Sequence, residues 1–106
     1  FMTDTFYKKS SGVFKALAHP TRLRILEILK EQEECVCKIF EALDLEQSNV
    51  SQHLKVLRDN DILKTRREGP MIMYRISRPE IISMIEESEK FLKGILDETY
   101  EGLKGV

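Results

Sequence analysis

The chain reads as a mainly α-helical fold carrying one small β-hairpin, and three observations lead there. Apolar residues recur at helical spacing through most of its length. Two extended runs flank a Gly-Pro turn past the midpoint, and a helix with one apolar seam and one uncharged polar face stands just before them. At 106 residues, 42% apolar and 33% charged, the chain suits a single soluble domain, expected over 4–103.

The elements follow in order. Residues 4–18 carry Phe6, Val13, Phe14 and Leu17 at helical spacing, interrupted by Gly12. His19-Pro20-Thr21 punctuates, because proline disfavours helix before itself and fits the first turn of a new one. The next helix is expected to reach about Gln32, with Leu23, Leu26 and Leu29 or Lys30 as its register and Ile25 and Ile28 beside them. After the polar break Glu31 to Glu34, a short helix is expected from about Cys35 to Leu43, then a turn at Asp44-Leu45-Glu46. A further helix covers about 47–59, with Val50, Leu54 and Leu57 as its buried i, i+4, i+7 seam. Extended runs on either side of Glu68-Gly69-Pro70 make a hairpin over about 62–77, and a last helix covers about 80–103. There is no internal repeat and no low-complexity segment; Phe1, ahead of Met2, is left out of the reading.

Two helices joined by a tight turn and followed by a hairpin with a basic tip make a winged helix-turn-helix. In that arrangement the second helix enters a DNA major groove by its N-terminal residues. Gln47, Ser48, Asn49, Ser51, Gln52 and Lys55 bring mostly uncharged donors and acceptors, the groups that read base edges and phosphate oxygens. The net charge of −1 conceals a segregation that agrees with this. Residues 47–78 hold seven Lys/Arg against three acids, residues 79–106 three against seven, and residues 1–46 seven against eight. A basic middle is an electrostatic footprint for nucleic acid, and Arg66, Arg67 and Arg75 sit on the wing. The bland reading of the same residues is a solvated polar surface, and a rival use of the fold is a winged-helix protein-interaction module that ignores DNA. No nucleophile–base pair, phosphate-cradling glycine loop or HExxH spacing points to an enzyme. No apolar run approaches the roughly 20 residues of a membrane span, and no leader precedes the domain, so no membrane partner and a cytoplasmic location are expected.

Four segments in order carry a family resemblance: Phe14 to Leu26 (FKALAHPTRLRIL), Glu34 to Cys37 (ECVC), Leu45 to Leu54 (LEQSNVSQHL), and Arg66 to Gly69 ahead of Met73-Tyr74. Together they resemble the ArsR/SmtB family of bacterial and archaeal repressors over most of the chain. The resemblance implies a homodimer on double-stranded operator DNA that is released by an inducer and needs no cofactor to bind. It places Gln47, Ser48, Ser51, Gln52 and His53 on the recognition helix, and Arg66, Arg67 and Arg75 on the wing. The residues argue for a dimer independently. Ile81, Ile85, Ser88, Leu92, Ile95 or Leu96, Thr99 and Leu103 form a long stripe that, with Phe6 and Phe14, a small domain would struggle to cover alone. Folding back of that stripe onto its own domain is the alternative.

Cys35 and Cys37 are the only cysteines. Two thiols one residue apart make a poor structural staple, and the resemblance implies that they bind a soft inducer, As(III)/Sb(III) or a Cd(II)-like ion. Residues i and i+2 of a regular helix point about 200° apart, so chelation is expected to unwind the start of the short helix. The family's arsenic-sensing pattern has aspartate and often a third cysteine where Lys38 and Phe40 stand here, so each subunit offers two thiolates and a third ligand would be exogenous. The last helix has no histidine, which disfavours the family's Asp/His zinc site. Lys38 near the thiols could instead favour thiolate formation and oxidation, leaving redox or reactive-sulfur sensing as the rival and inert cysteines as the remaining reading. His19 is read as supporting the helix junction, and His53 as contacting DNA or bracing the local network.

Overall fold

The computed structural model describes residues 2–105; Phe1 lies outside them. Five helices and three short strands follow one another as α1 (Asp4–Leu17), α2 (Pro20–Leu29), β1 (Glu34–Cys35), α3 (Val36–Leu43), α4 (Gln47–Asp59), β2 (Leu63–Glu68), β3 (Met71–Ile76) and α5 (Pro79–Lys104). Helix α4 and the β2–β3 hairpin follow one another directly, joined by the turn through Asn60 and Asp61.

Each boundary has a local cause. The Thr3 hydroxyl caps α1 by accepting the Phe6 N–H at 3.2 Å. Gly12 lets α1 pass close to the end of α4: a Cβ there would come within 3.1 Å of the Asn60 side-chain oxygen, which would have to shift to admit it. The α3–α4 turn is tight: Asp44 takes the left-handed conformation (φ 55°), and the Asp44 and Leu45 N–H groups donate to the Glu41 and Phe40 carbonyls. At the wing tip Gly69 adopts φ +59° ahead of Pro70, the arrangement of a type II′ hairpin turn. The base of the wing is closed by Ser77, which donates its N–H to the Ile62 carbonyl and its hydroxyl to the Asp61 carbonyl.

The structure departs from the expectations in three places. Helix α2 stops at Leu29 rather than Gln32, and its buried seam is Ile25, Leu26 and Leu29, with Leu23 turned outward at 40% exposure. A third strand, β1, pairs antiparallel with β3 (Glu34↔Tyr74, Cys35↔Met73), giving the order β1-β3-β2. Two residues are too few to carry a strand periodicity, and β1 exists only because β3 offers it an edge. Cys35 consequently lies outside α3, as an extended N-cap residue (φ −76°, ψ 160°).

The core gathers around α4. Val50, Leu54 and Leu57 are fully buried with Ile25 and Leu26 of α2, Ile39 of α3, and Ile62 and Leu63 at the base of the wing. By contrast α5, 26 residues and about 39 Å long at 1.5 Å per residue, contributes only Ile81 to the buried core.

A polar cluster braces α4 against α2. His19 caps α2 through Nδ1, which accepts the Thr21 N–H at 3.1 Å. Its ring lies 4.4 Å from that of His53. Arg22 donates to His53 Nδ1 (3.2 Å) and to the Ala16 carbonyl (2.6 Å), joining α1, α2 and α4. His53 is thus half-buried and serves this network, the second of the two roles expected for it. Burial, then the charges of His19 and Arg22, hold its imidazole below the ordinary histidine pKa. The unfolded chain takes up this proton near about pH 6.5, the folded chain only at lower pH, so the unfolded state binds more protons there and stability falls with acidification. We predict that the melting temperature, followed by circular dichroism, drops between about pH 7 and about pH 5.5 less steeply in His53→Gln than in the parent chain. Equal slopes would assign the acid sensitivity to other groups.

Candidate nucleic-acid interface and cysteine pair

Burial of the α4 seam turns the opposite face of the helix outward. Gln47, Ser48, Asn49, Ser51, Gln52 and Lys55 are all exposed. Lys55 donates to the Asp59 carboxylate at 2.7 Å, an exposed i,i+4 pair. Such a pair contributes little and can exchange its carboxylate for a phosphate. Arg58, which was not among the expected contacts, joins this face. With Ser51, Lys55, Asp59 and Tyr74 it lines a concavity of about 340 Å³ between α4 and the wing. Its signal in the sequence was its place within the basic middle.

The wing arginines are not equivalent. The Arg66 guanidinium grips the Glu33 carboxylate through Nε (2.9 and 3.0 Å) and Nη2, and reaches Glu68 at 3.2 Å. The hydrogen bond from Arg66 holds the Glu33 carboxyl below the usual carboxylate range, and Glu33 raises Arg66 in return. Arg67 and Arg75 are exposed and make no ion pair among the described residues. Of the ten residues expected at DNA, eight therefore stand outward on α4 and the wing without a structural engagement beyond the Lys55–Asp59 pair. Arg66, itself exposed, is engaged by Glu33 and Glu68, and the half-buried His53 is engaged by Arg22.

Cys35 and Cys37 are joined in a disulfide, with Cα atoms 5.4 Å apart. Cys35 is 5% exposed and Cys37 is exposed. A loop this short removes little unfolded-state entropy, so the bond is no structural staple. The expected unwinding of α3 is not needed. The 200° divergence applies to two helical residues, and Cys35 is extended, so both sulfurs already meet. Among the described residues no group of three or more His, Cys, Asp and Glu side chains could hold a metal ion.

Comparison with known proteins agrees with this architecture. A family model described as "Bacterial regulatory protein, arsR family" matches residues 19–65, from the His19 cap to the wing. An uncharacterized HTH-type transcriptional regulator of Mycobacterium tuberculosis, Rv0081, is 37% identical over 97 residues, covering 91% of this chain and 85% of that protein. Its crystal structure superposes with a TM-score of 0.81, covering 91% of this chain and 97% of that one. An arsenical resistance operon repressor of Staphylococcus xylosus is 35% identical over 77% of this chain and 78% of that protein. The homodimeric winged helix-turn-helix DNA-binding domain of Mb0332 from Mycobacterium bovis, solved by NMR, is 26% identical with a TM-score of 0.82, covering 92% and 93%. With its winged helix-turn-helix and these relatives, the chain belongs to the ArsR family of bacterial transcriptional regulators.

Proposed function

We propose that this regulator binds an operator as a homodimer, represses transcription from it, and leaves the DNA when a soft ion engages Cys35 and Cys37. The observation that carries the DNA reading is the outward polar face of α4 beside an exposed cationic wing. Uncharged Gln47, Ser48, Asn49, Ser51 and Gln52 suit base edges, while Lys55, Arg58, Arg67 and Arg75 suit phosphates. His53 and Arg66 act through the fold, bracing α4 and the wing. Phosphate contacts imply binding that weakens steeply with salt.

The dimer is supported by what α1 and α5 leave uncovered. Phe91, Leu92, Leu96, Tyr100 and Leu103 are 57–73% exposed on α5, and Phe6 and Phe14 are exposed on α1. An apolar face this extensive marks an association surface, and Mb0332 is described as homodimeric. Twofold symmetry would set the recognition helices about 34–36 Å apart on a near-palindromic site.

For the inducer, As(III)/Sb(III) or a Cd(II)-like ion suits a dithiolate, and the Staphylococcus xylosus relative is an arsenical resistance repressor. Cys35 couples it to DNA by position: it begins α3 of the helix-turn-helix and pairs with Met73 of the wing. A ligand that shifts Cys35 biases both DNA-reading elements, as one bistable element under two sites requires. A second reading, thiol oxidation as the signal, is favoured by the Cys35–Cys37 disulfide itself.

Three outcomes test these readings. In fluorescence anisotropy against operator and random DNA, Arg67→Ala should weaken binding to both alike and reduce the salt slope by about one. Gln47→Ala or Ser51→Ala should instead erode preference for the operator by about 1–3 kcal/mol; uniform losses for all three would refute the assignment. Leu92→Glu with Leu96→Glu should sediment as a monomer and lose operator affinity, and an unchanged sedimentation coefficient would remove α5 from the interface. Cys35→Ser with Cys37→Ser should keep operator affinity while abolishing release by arsenite; release of this variant would place the sensor elsewhere.

A further inference from the structure

The third strand brings another sulfur to the cysteine pair. Cys35 of β1 stands directly opposite Met73 of β3 in an antiparallel ladder, and Met73 in turn stands opposite Arg66 of β2. Directly opposed residues send their side chains to the same side of a sheet, with Cβ atoms about 4.5–5.5 Å apart. The Met73 thioether therefore shares a face with the Cys35 sulfur, to which Cys37 is already joined. Met73 is partly exposed and does not belong to the apolar core, which takes Tyr74 and Ile76 from the same strand.

We propose that the reduced Cys35 and Cys37 thiolates and the Met73 thioether form a three-sulfur site for a monovalent coinage-metal ion, Cu(I) or its analogue Ag(I). Thiolate and thioether are both soft, and together they select Cu(I) over harder divalent ions. The set is less suited to trivalent arsenic, which requires three sulfur bonds and gains little from a neutral thioether. A dithiol reductant supplies two electrons and two protons to open the disulfide. The ion then displaces both thiol protons, so binding strengthens as pH rises. Coordination would fasten the start of α3 to β3 of the wing and fix the separation of the two DNA-reading elements. This site rests on the reading of Cys35 and Cys37 as the inducer site, and for a coinage-metal ion it adds a third sulfur from within the chain.

The test uses the full, reduced chain, titrated with Cu(I) against bicinchoninate and with Ag(I), alongside arsenite release from operator DNA. Met73→Leu conserves volume, so folding and operator affinity should stay at the parent level. Its Cu(I) affinity should fall about tenfold or more, since even outer-shell changes cost about 10–100-fold, with arsenite release unchanged. X-ray absorption should find three sulfur neighbours around copper in the parent chain and two in the variant, and Met73→Cys should restore tight binding. Equal Cu(I) affinity in Met73→Leu and parent would overturn the thioether ligand. In that case arsenite release lost in Cys35→Ser with Cys37→Ser would leave the cysteine sensor standing. Parent-level Cu(I) binding by the double cysteine variant would overturn the proposed site outright.

Discussion

Three apolar side chains on one stripe of α4 hold the outward polar face of that helix in place. Val50, Leu54 and Leu57 have no exposed surface, and each such side chain is worth about 1.5–3 kcal/mol on leaving water. Because they descend into a core shared by α2, α3 and the base of the wing, α4 cannot roll without opening that core. The polar face is therefore aimed by burial on the other side of the same helix. The pair of left-handed aspartates, Asp44 before α4 and Asp61 after it, lets the chain enter and leave this helix in tight turns.

Around this fixed helix, some of the cationic side chains brace the fold and others stand outward. Arg22 is spent on His53 and on the Ala16 carbonyl, closing the junction of α1, α2 and α4. Arg66 is spent on Glu33, tying the wing to the segment that leads into β1. Arg58, Arg67 and Arg75 keep their guanidinium groups outward. The basic middle of the sequence is thus a mixture, and only part of its charge is left without an intramolecular partner among the described residues.

Cys35 is the point at which these parts meet. Its backbone belongs to β1, its position begins α3, and its sulfur belongs to the cysteine pair. The Glu33–Arg66 clamp lies two residues before it and across the same sheet. A chemical change at this sulfur acts on a junction with two neighbours, which is a more direct route to the wing than the melting of a helix turn.

The helical seams, the hairpin and the polar face of α4 were legible in the sequence because each follows from local periodicity and turn chemistry. Val50, Leu54 and Leu57 repeat at helical spacing, and Gly69-Pro70 makes a turn wherever it stands. The family resemblance rested on the same local runs. The tertiary structure alone decided the rest, because those features depend on partners far away in the chain. Strand β1 arises from pairing with Met73 and Tyr74, nearly forty residues on, and it moved Cys35 out of α3. The partners of His53 and Arg66 within the fold, Arg22 and Glu33, each lie more than thirty residues away in the chain. Periodicity reports which face of an element is apolar; which polar side chains find partners inside the molecule is settled only when distant segments come together.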